Sequence, residues 1–360
     1  MTLNEFYQTY SSDTTAGSAN QNVNDFKTAE KRVGRCWYKL SHGGEHYSLL
    51  FSNQIDSTFS DGKDSWANII CDDWTINRVR VGLVDKVGDI PAEWITVTFD
   101  GKTEKAVSGA EPFFTDPITL NARGGEFLSY EITFTGVRVP AHYEVNLFTT
   151  IEPAVKTDTE ECGRIPLPLM IGSDRKVSRK IGFLGDSITQ GIGTPYDSYE
   201  HWVAEIANHL PDEWSVWDLG IGFARGQDAA SDMGWLARAK QCDVVNVCFG
   251  VNDLFQGRTA AQIKADLKTI ITKLKEAGCR VILFSVPPFN FEDELLAAWR
   301  DINEEILHGA LGKLADKTFE FGKGTVRPAP EDNYCLYGSH PNSEGCYIIA
   351  HHYLDEGILD

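Results

Sequence analysis

The sequence has little that would suit it to nucleic acid or to an anionic membrane surface. Its 33 Lys and Arg face 52 Asp and Glu, a net charge of −19. Such a chain repels phosphate backbones and acidic lipid heads. It also lacks any apolar run near the ~20 residues of a membrane helix; Val281-Ile282-Leu283-Phe284 is among the longest. The opening residues, Met1-Thr2-Leu3-Asn4-Glu5-Phe6-Tyr7, have no basic segment and no apolar segment, so they do not read as a secretory leader. None of the eight Cys forms a C-x-x-C pair. Without a leader they read as small buried thiols rather than disulfides. These absences predict a cytoplasmic chain with no nucleic-acid and no membrane partner.

What is present is enough to build a core. Hydrophobic residues make up 42% of the 360 positions, which excludes disorder and leaves room for two domains. The two halves differ in pattern. From about residue 35 to 150, short β-type runs alternate at period two, as in Arg78-Val79-Arg80-Val81-Gly82-Leu83 and Trp94-Ile95-Thr96-Val97-Thr98-Phe99. Asp61-Gly62, Asp100-Gly101 and Gly124-Gly125 punctuate them. This predicts an antiparallel β-sandwich, jelly-roll-like. From Lys180 onward strands alternate with helices, which predicts a parallel sheet covered on both faces. The expected helices include 228–240, 261–277, 293–315 and 343–356. The expected domains are a sandwich over 1–172 and an α/β domain over 173–360.

Four short blocks lie just past strand ends of that sheet, where open α/β sheets bind ligands. The first is Gly185-Asp186-Ser187-Ile188-Thr189-Gln190-Gly191, with a Ser at the strand end. It is not a G-x-S-x-G elbow, because Thr189 stands two residues after Ser187. The second is Gly220-Ile221-Gly222-Phe223, where a backbone amide can face the crevice. It misses the G-x-G-x-x-G fingerprint by one residue, with Arg225 before Gly226. The third is Gly250-Val251-Asn252-Asp253; an Asn amide can donate to a developing oxyanion. The fourth is Tyr337-Gly338-Ser339-His340-Pro341, with a His able to act as general base. Each alone also fits a turn, a helix cap or an ordinary buried side chain.

Taken together, the blocks resemble those of the SGNH (GDSL-type) hydrolases, over Lys180 to the C-terminus. The resemblance implies a flavodoxin-like three-layer α/β/α fold and ester hydrolysis through an acyl-enzyme, with no cofactor and no metal. It makes Ser187 the nucleophile and His340 the base. The oxyanion hole would be the Ser187 amide, the amide of Gly222 or Phe223, and the Asn252 side chain. In strict register the family's Gly falls on Phe223. Asp186 and Asp253 would hold their loops through nearby amides.

One position departs from the family. Three residues before His340, where an Asp usually stands, the chain has Tyr337. That Asp fixes the imidazole tautomer and stabilises the imidazolium. A backbone carbonyl can replace it to give a Ser-His dyad, the preferred reading; Asp332 or Glu331 can fold back; or the site is impaired. A sandwich followed by an SGNH domain without this Asp is similar to two-domain carbohydrate esterases. This implies short-chain, acetyl-type esters on small molecules or oligosaccharides. A lipid or thioester acylhydrolase is the alternative, and so is a non-catalytic carbohydrate-binding protein on a degenerate scaffold. A homo-oligomer is compatible with the sequence.

Tyr196, in a Gly-Pro loop, is the best candidate for a substrate contact, with Phe255 a further aromatic near a block. Trp202 and the sandwich residues Trp37, Trp66, Trp74 and Trp94 read as core. His42-Gly43-Gly44-Glu45-His46 matches the H-x-x-E-H string of inverted zinc proteases, but two Gly between strand-like runs make a poor helix.

Overall fold

The computed structural model describes residues 1–360 except 18–19, 57–67, 143–144, 154, 157–160, 163 and 324–332, and only the backbone of 155–156 and 161–162. Trp66, Asp61-Gly62, Glu331 and Asp332 therefore lie outside the described residues.

Two antiparallel sheets make up most of the N-terminal half. One runs Ser11–Ser12, Met170–Ser173, Gly43–Phe51, Phe113–Phe114, with Ile118–Arg123 also on Gly43–Phe51. The other runs Thr150–Glu152, Lys31–Lys39, Phe127–Thr135, Trp74–Val84, Ile95–Val97, with Lys105–Val107 also on Trp74–Val84. The period-two pattern has its expected consequence. Ile76, Val79 and Val81 are buried with Tyr38, Tyr130 and Ile132, against Tyr47, Leu49 and Phe51 of the first sheet. Arg78 and Arg80 point away and meet the buried carboxylate of Glu131, at 3.2 and 2.6 Å. His42 and His46 flank the start of a strand, Gly43–Phe51, not a helix face.

The C-terminal half is built on a five-stranded parallel sheet. Its spatial order is Trp214–Gly220, Arg179–Gly185, Val244–Cys248, Arg280–Phe284, Lys317–Phe319. The strands read as continuous apolar runs because helices cover both faces. Helices Trp202–Asn208 and Ser343–Asp355 pack together, as do Gly226–Ala230, Ala260–Glu276 and Asp293–Leu307. Strand Arg179–Gly185 comes first in sequence but lies second in the sheet. The chain leaves it in one direction to Trp214–Gly220 and then reverses to Val244–Cys248. That reversal opens a crevice past Gly185.

Two expected helices are broken. The 228–240 helix is two short ones, Gly226–Ala230 and Gly234–Ala239, because Asp232 takes a left-handed conformation, φ +62°. The 293–315 helix stops at Leu307 and restarts at Ala310. There the Glu305 carboxylate accepts from the amides of Ala310 and Leu311, at 2.8 and 3.0 Å, and so caps the new start.

The N-terminal segment belongs in space with the α/β core. Leu3–Thr9 is a helix opened by a capping box: Glu5 N donates to Thr2 Oγ1 and Thr2 N to Glu5 Oε2. Phe6, Tyr7 and Tyr10 are buried in the cluster that holds Ile181, Phe183 and Trp217. Lys180 Nζ caps this segment through the carbonyls of Tyr7 and Tyr10.

Candidate active site

Ser187 is the first residue of a one-turn helix, Ser187–Gln190, at the end of strand Arg179–Gly185. Asp186 is its N-cap, and its carboxylate accepts from Ile188 N at 3.0 Å. The sequence folds this way because an Asp cap follows directly on the strand and leaves the next side chain at the sheet rim. Ser187 and His340 are each 7% exposed, enough for contact with solvent at the crevice.

His340 stands 153 residues further along the chain, yet its Nε2 lies 2.8 Å from Ser187 Oγ. It is carried by a tight hairpin, Cys335–Tyr337 against His340–Pro341, which pairs Tyr337 directly with His340. Gly338 makes the turn at φ +50°. A Cβ there would come within 1.8 Å of the Phe289 ring, so no other residue fits both the angle and the space.

The other imidazole nitrogen, Nδ1, lies 3.2 Å from the carbonyl oxygen of Tyr337. A carbonyl only accepts, so Nδ1 carries the hydrogen. Nε2 then presents its lone pair to the Ser187 hydroxyl. Burial pushes the His340 imidazole down to about 4, against the opposing pull of the Tyr337 carbonyl. No carboxylate lies within ion-pair distance of His340 among the described residues.

Asn252 sits in the short helix Val251–Phe255 after strand Val244–Cys248. Its Nδ2 donates to Asp186 Oδ2 at 3.3 Å and to the carbonyl of Ala224 at 3.1 Å. These bonds tie the first, second and third blocks together. An oxyanion binds this amide only by sharing or displacing one of those acceptors. Burial, reinforced by nearby Asp253, pushes the Asp186 carboxyl up to about 7. Asp253 is itself pushed up to about 6 by burial and accepts from Gly226 N at 3.0 Å. Both carboxylates thus bond to loop amides.

Gly222 and Phe223 follow strand Trp214–Gly220 in the turn that carries the second block. Phe223 has φ +60°, in the left-handed region that favours glycine. The side chain there is nevertheless Phe. Tyr196 is 67% exposed on the loop that follows Ser187. No hydrogen bond or ring contact joins it to Ser187 or His340 among the described residues.

Sequence reasoning missed three contributors. Phe289 stands edge to face with His340, 5.9 Å between centroids, and continues into Phe255 and Phe291. Asn146, in the N-terminal half, bonds to the loop after Ser187. The ring of Tyr337 covers the imidazole. Only the last had a local signal, the Gly-Ser turn between Tyr337 and His340.

Residues 183–347 match the model of the GDSL-like lipase/acylhydrolase family. Comparison with curated proteins finds no match. Similar solved structures include a lipolytic protein of the G-D-S-L family from Veillonella parvula DSM 2008, at 21% identity over 49% of this chain and 96% of that one, TM-score 0.40. A variant of an acetyl-xylooligosaccharide esterase from Geobacillus aligns at 19% identity over 51% and 95%, TM-score 0.41. A psychrotrophic esterase from Pseudoalteromonas sp. aligns at 17% identity over 51% and 100%, TM-score 0.40. The C-terminal half of this chain is thus similar to the GDSL-like lipase/acylhydrolase family.

Proposed function

We propose that this domain is a serine esterase that removes short acyl groups, acetyl above all, from carbohydrates through an acyl-enzyme. The observation that carries the reading is the 2.8 Å contact between Ser187 Oγ and His340 Nε2. His340 takes the Ser187 proton as Oγ forms its bond to the ester carbonyl carbon, and the carbonyl electrons move onto oxygen. The amides of Ser187 and of Gly222 or Phe223, with Asn252 Nδ2, hold that oxyanion. Collapse breaks the C–O bond to the alcohol, which leaves with the proton from His340. Water, deprotonated by His340, then frees the acid and restores Ser187. Each oxyanion donor contributes roughly 3–4 kcal/mol to the transition state.

The carbohydrate reading is supported by the two-part architecture and by exposed rings around the site. Tyr337 and Phe255 are each 48% exposed. Tyr196 remains the proposed outer substrate contact. We assign 173–360 to catalysis and 1–172 to the sandwich, and place the enzyme in the cytoplasm, acting on oligosaccharides. Seven buried free thiols among the described side chains support that compartment, and no described helix is long and apolar enough to cross a membrane. The test is acetate release from an acetylated oligosaccharide. Ser187→Ala abolishes it; wild-type activity in that variant refutes the assignment.

The aromatic wall of Phe255, Phe289 and Phe291 favours a second reading, a lipid or thioester acylhydrolase. A rate that rises for acyl chains of about eight carbons or more selects it over the acetylesterase.

A further inference from the structure

We propose that the ring of Tyr337 is a positioning element for His340, its π face stabilising the imidazolium that forms when His340 takes the Ser187 proton. The inference rests on the serine-esterase reading above.

The hairpin dictates the contact. Tyr337 and His340 are directly opposed across Gly338–Ser339, and opposed residues of an antiparallel pair project to the same face. Their ring centroids are 4.3 Å apart, with planes 33° from parallel. A cation over an aromatic face within about 6 Å is attracted by the ring's electron density, more strongly where water is excluded. His340 is nearly buried, and Phe289 walls it with a perpendicular ring at 5.9 Å.

Chemistry supplies the need. A triad acid both orients the imidazole and stabilises its charged form. Here the Tyr337 carbonyl orients Nδ1, but a neutral carbonyl does only part of the second task. The same residue's ring lies where the remainder must come from. Among the described residues, the acidic groups on or beside the elements packed around this hairpin include Asp186, Asp253, Glu200 and Glu344. Asp186 is bonded to Ile188 N and Asn252. Asp253 is bonded to Gly226 N, and Glu200 to the Ser343 hydroxyl. None of them pairs with the imidazole. Stability alone gives a weak reason for this ring, since half of it faces solvent.

The test compares Tyr337→Phe with Tyr337→Leu; Leu keeps apolar cover but has no π face. On a nitrophenyl acetate, Tyr337→Phe, the conservative variant that keeps the π face, rescues most of the kcat that Tyr337→Leu loses. Tyr337→Leu loses about three- to tenfold in kcat with KM unchanged. Its acid limb moves to lower pH, because a less stabilised imidazolium gives up its proton more readily. The rate of Ser187 labelling by a fluorophosphonate at pH 7 falls by the same factor. Equal kcat, labelling rate and pH profile for Leu and wild type overturn the proposal, as does a Phe variant as impaired as Leu. A wild-type protein that neither hydrolyses esters nor labels refutes the esterase reading itself.

Discussion

Asn146 of the N-terminal half holds Gly191, four residues past Ser187: its amide donates to the Gly191 carbonyl at 3.3 Å and to the Thr194 hydroxyl at 2.5 Å. The loop so held presses on the His340 hairpin. A Cβ on Gly193 would meet the Pro341 carbonyl oxygen at 2.4 Å. The loop is further fixed where Phe148 N donates to Asp197 at 3.1 Å and Lys39 N to the Tyr199 hydroxyl at 2.7 Å. Residues of the N-terminal half thus hold the loop that runs from Ser187 past the His340 hairpin.

Asn146→Ala is expected to separate activity from stability. Losing side-chain hydrogen bonds of this kind costs roughly 1–3 kcal/mol of stability. A small displacement of the hairpin costs far more in rate, up to about 100-fold for 1 Å of misplacement. Thermal melts and kcat on one short-chain ester check this. A variant with wild-type kcat shows that the sandwich does not position the site.

The pH profile follows from the state of His340. Burial holds the imidazole down to about 4, and the proposed base works only when neutral. Lowering the pH therefore leaves it competent until about 4, well below the ordinary histidine range. Initial rates between pH 4 and pH 8 are expected to stay flat above pH 5 and to halve near pH 4. Asp186, raised to about 7, titrates in the same window, so an acid limb at pH 6.5 that persists in Asp186→Asn contradicts the buried, carbonyl-bonded ring.

Gly338→Ala tests the turn. Alanine at φ +50° is strained, and its Cβ would overlap the Phe289 ring. Strain plus overpacking is worth roughly 2–4 kcal/mol. The hairpin must shift, and the Tyr337 carbonyl with it. The expected result is a folded protein with kcat at least 100-fold lower. Adding Phe289→Ala removes the overlap and recovers part of the lost stability.

Much of this was legible in the sequence, for physical reasons. The sheet strands are buried on both faces, so each had to be an apolar run, and the blocks follow from their ends. Ser187, Asn252 and His340 stood out because ester chemistry at a strand end calls for those residue types, and the structure brings the Ser187 hydroxyl to 2.8 Å from the His340 ring. Phe289 and Asn146 carry no such signature. An ordinary Phe after Pro287-Pro288 and an ordinary loop Asn acquire roles only through tertiary placement. The Leu3–Thr9 helix did have a signal, Thr2 and Glu5 in capping-box spacing ahead of Phe6 and Tyr7. The broken helices were hidden because apolar spacing runs on through Asp232 and Gly309, while backbone angle and a side-chain cap interrupt the hydrogen bonding.

Phe223 offers a test of register. A left-handed Phe is strained by about 1–2 kcal/mol relative to glycine, while glycine loses roughly 0.5–1 kcal/mol through its freer unfolded chain. The two nearly cancel. Phe223→Gly is expected to change stability by less than about 1 kcal/mol and to keep kcat within threefold. Phe223→Val, β-branched at positive φ, is expected to lower both. Melting curves and kcat for the pair decide it. Equal tolerance of Gly and Val shows that the backbone at 223 does not shape the proposed oxyanion site.

The last prediction concerns the contact that ties the halves behind the site. Arg238 donates to Asp56 at 2.7 Å, with both side chains almost fully buried. Arg238 lies in the helix whose Trp235 donates to the Leu219 carbonyl at 3.0 Å, so it braces the strand that ends in the second block. Burial raises the Asp56 carboxyl, and the guanidinium opposes it. Removing one partner leaves the other charge buried alone, so Arg238→Met is expected to lose roughly 3–5 kcal/mol at pH 7. The double change Asp56→Leu with Arg238→Met removes both desolvation costs and is expected to recover most of that. In the single variant the Asp56 carboxyl rises further above its unfolded value. The folded state then binds the proton more tightly than the unfolded one, so its deficit shrinks as pH falls from 7 toward 4. Denaturant melts of the three proteins at pH 5 and pH 7 read the effect directly. A single variant as stable as the double at pH 7 shows that the pair is not holding the halves together.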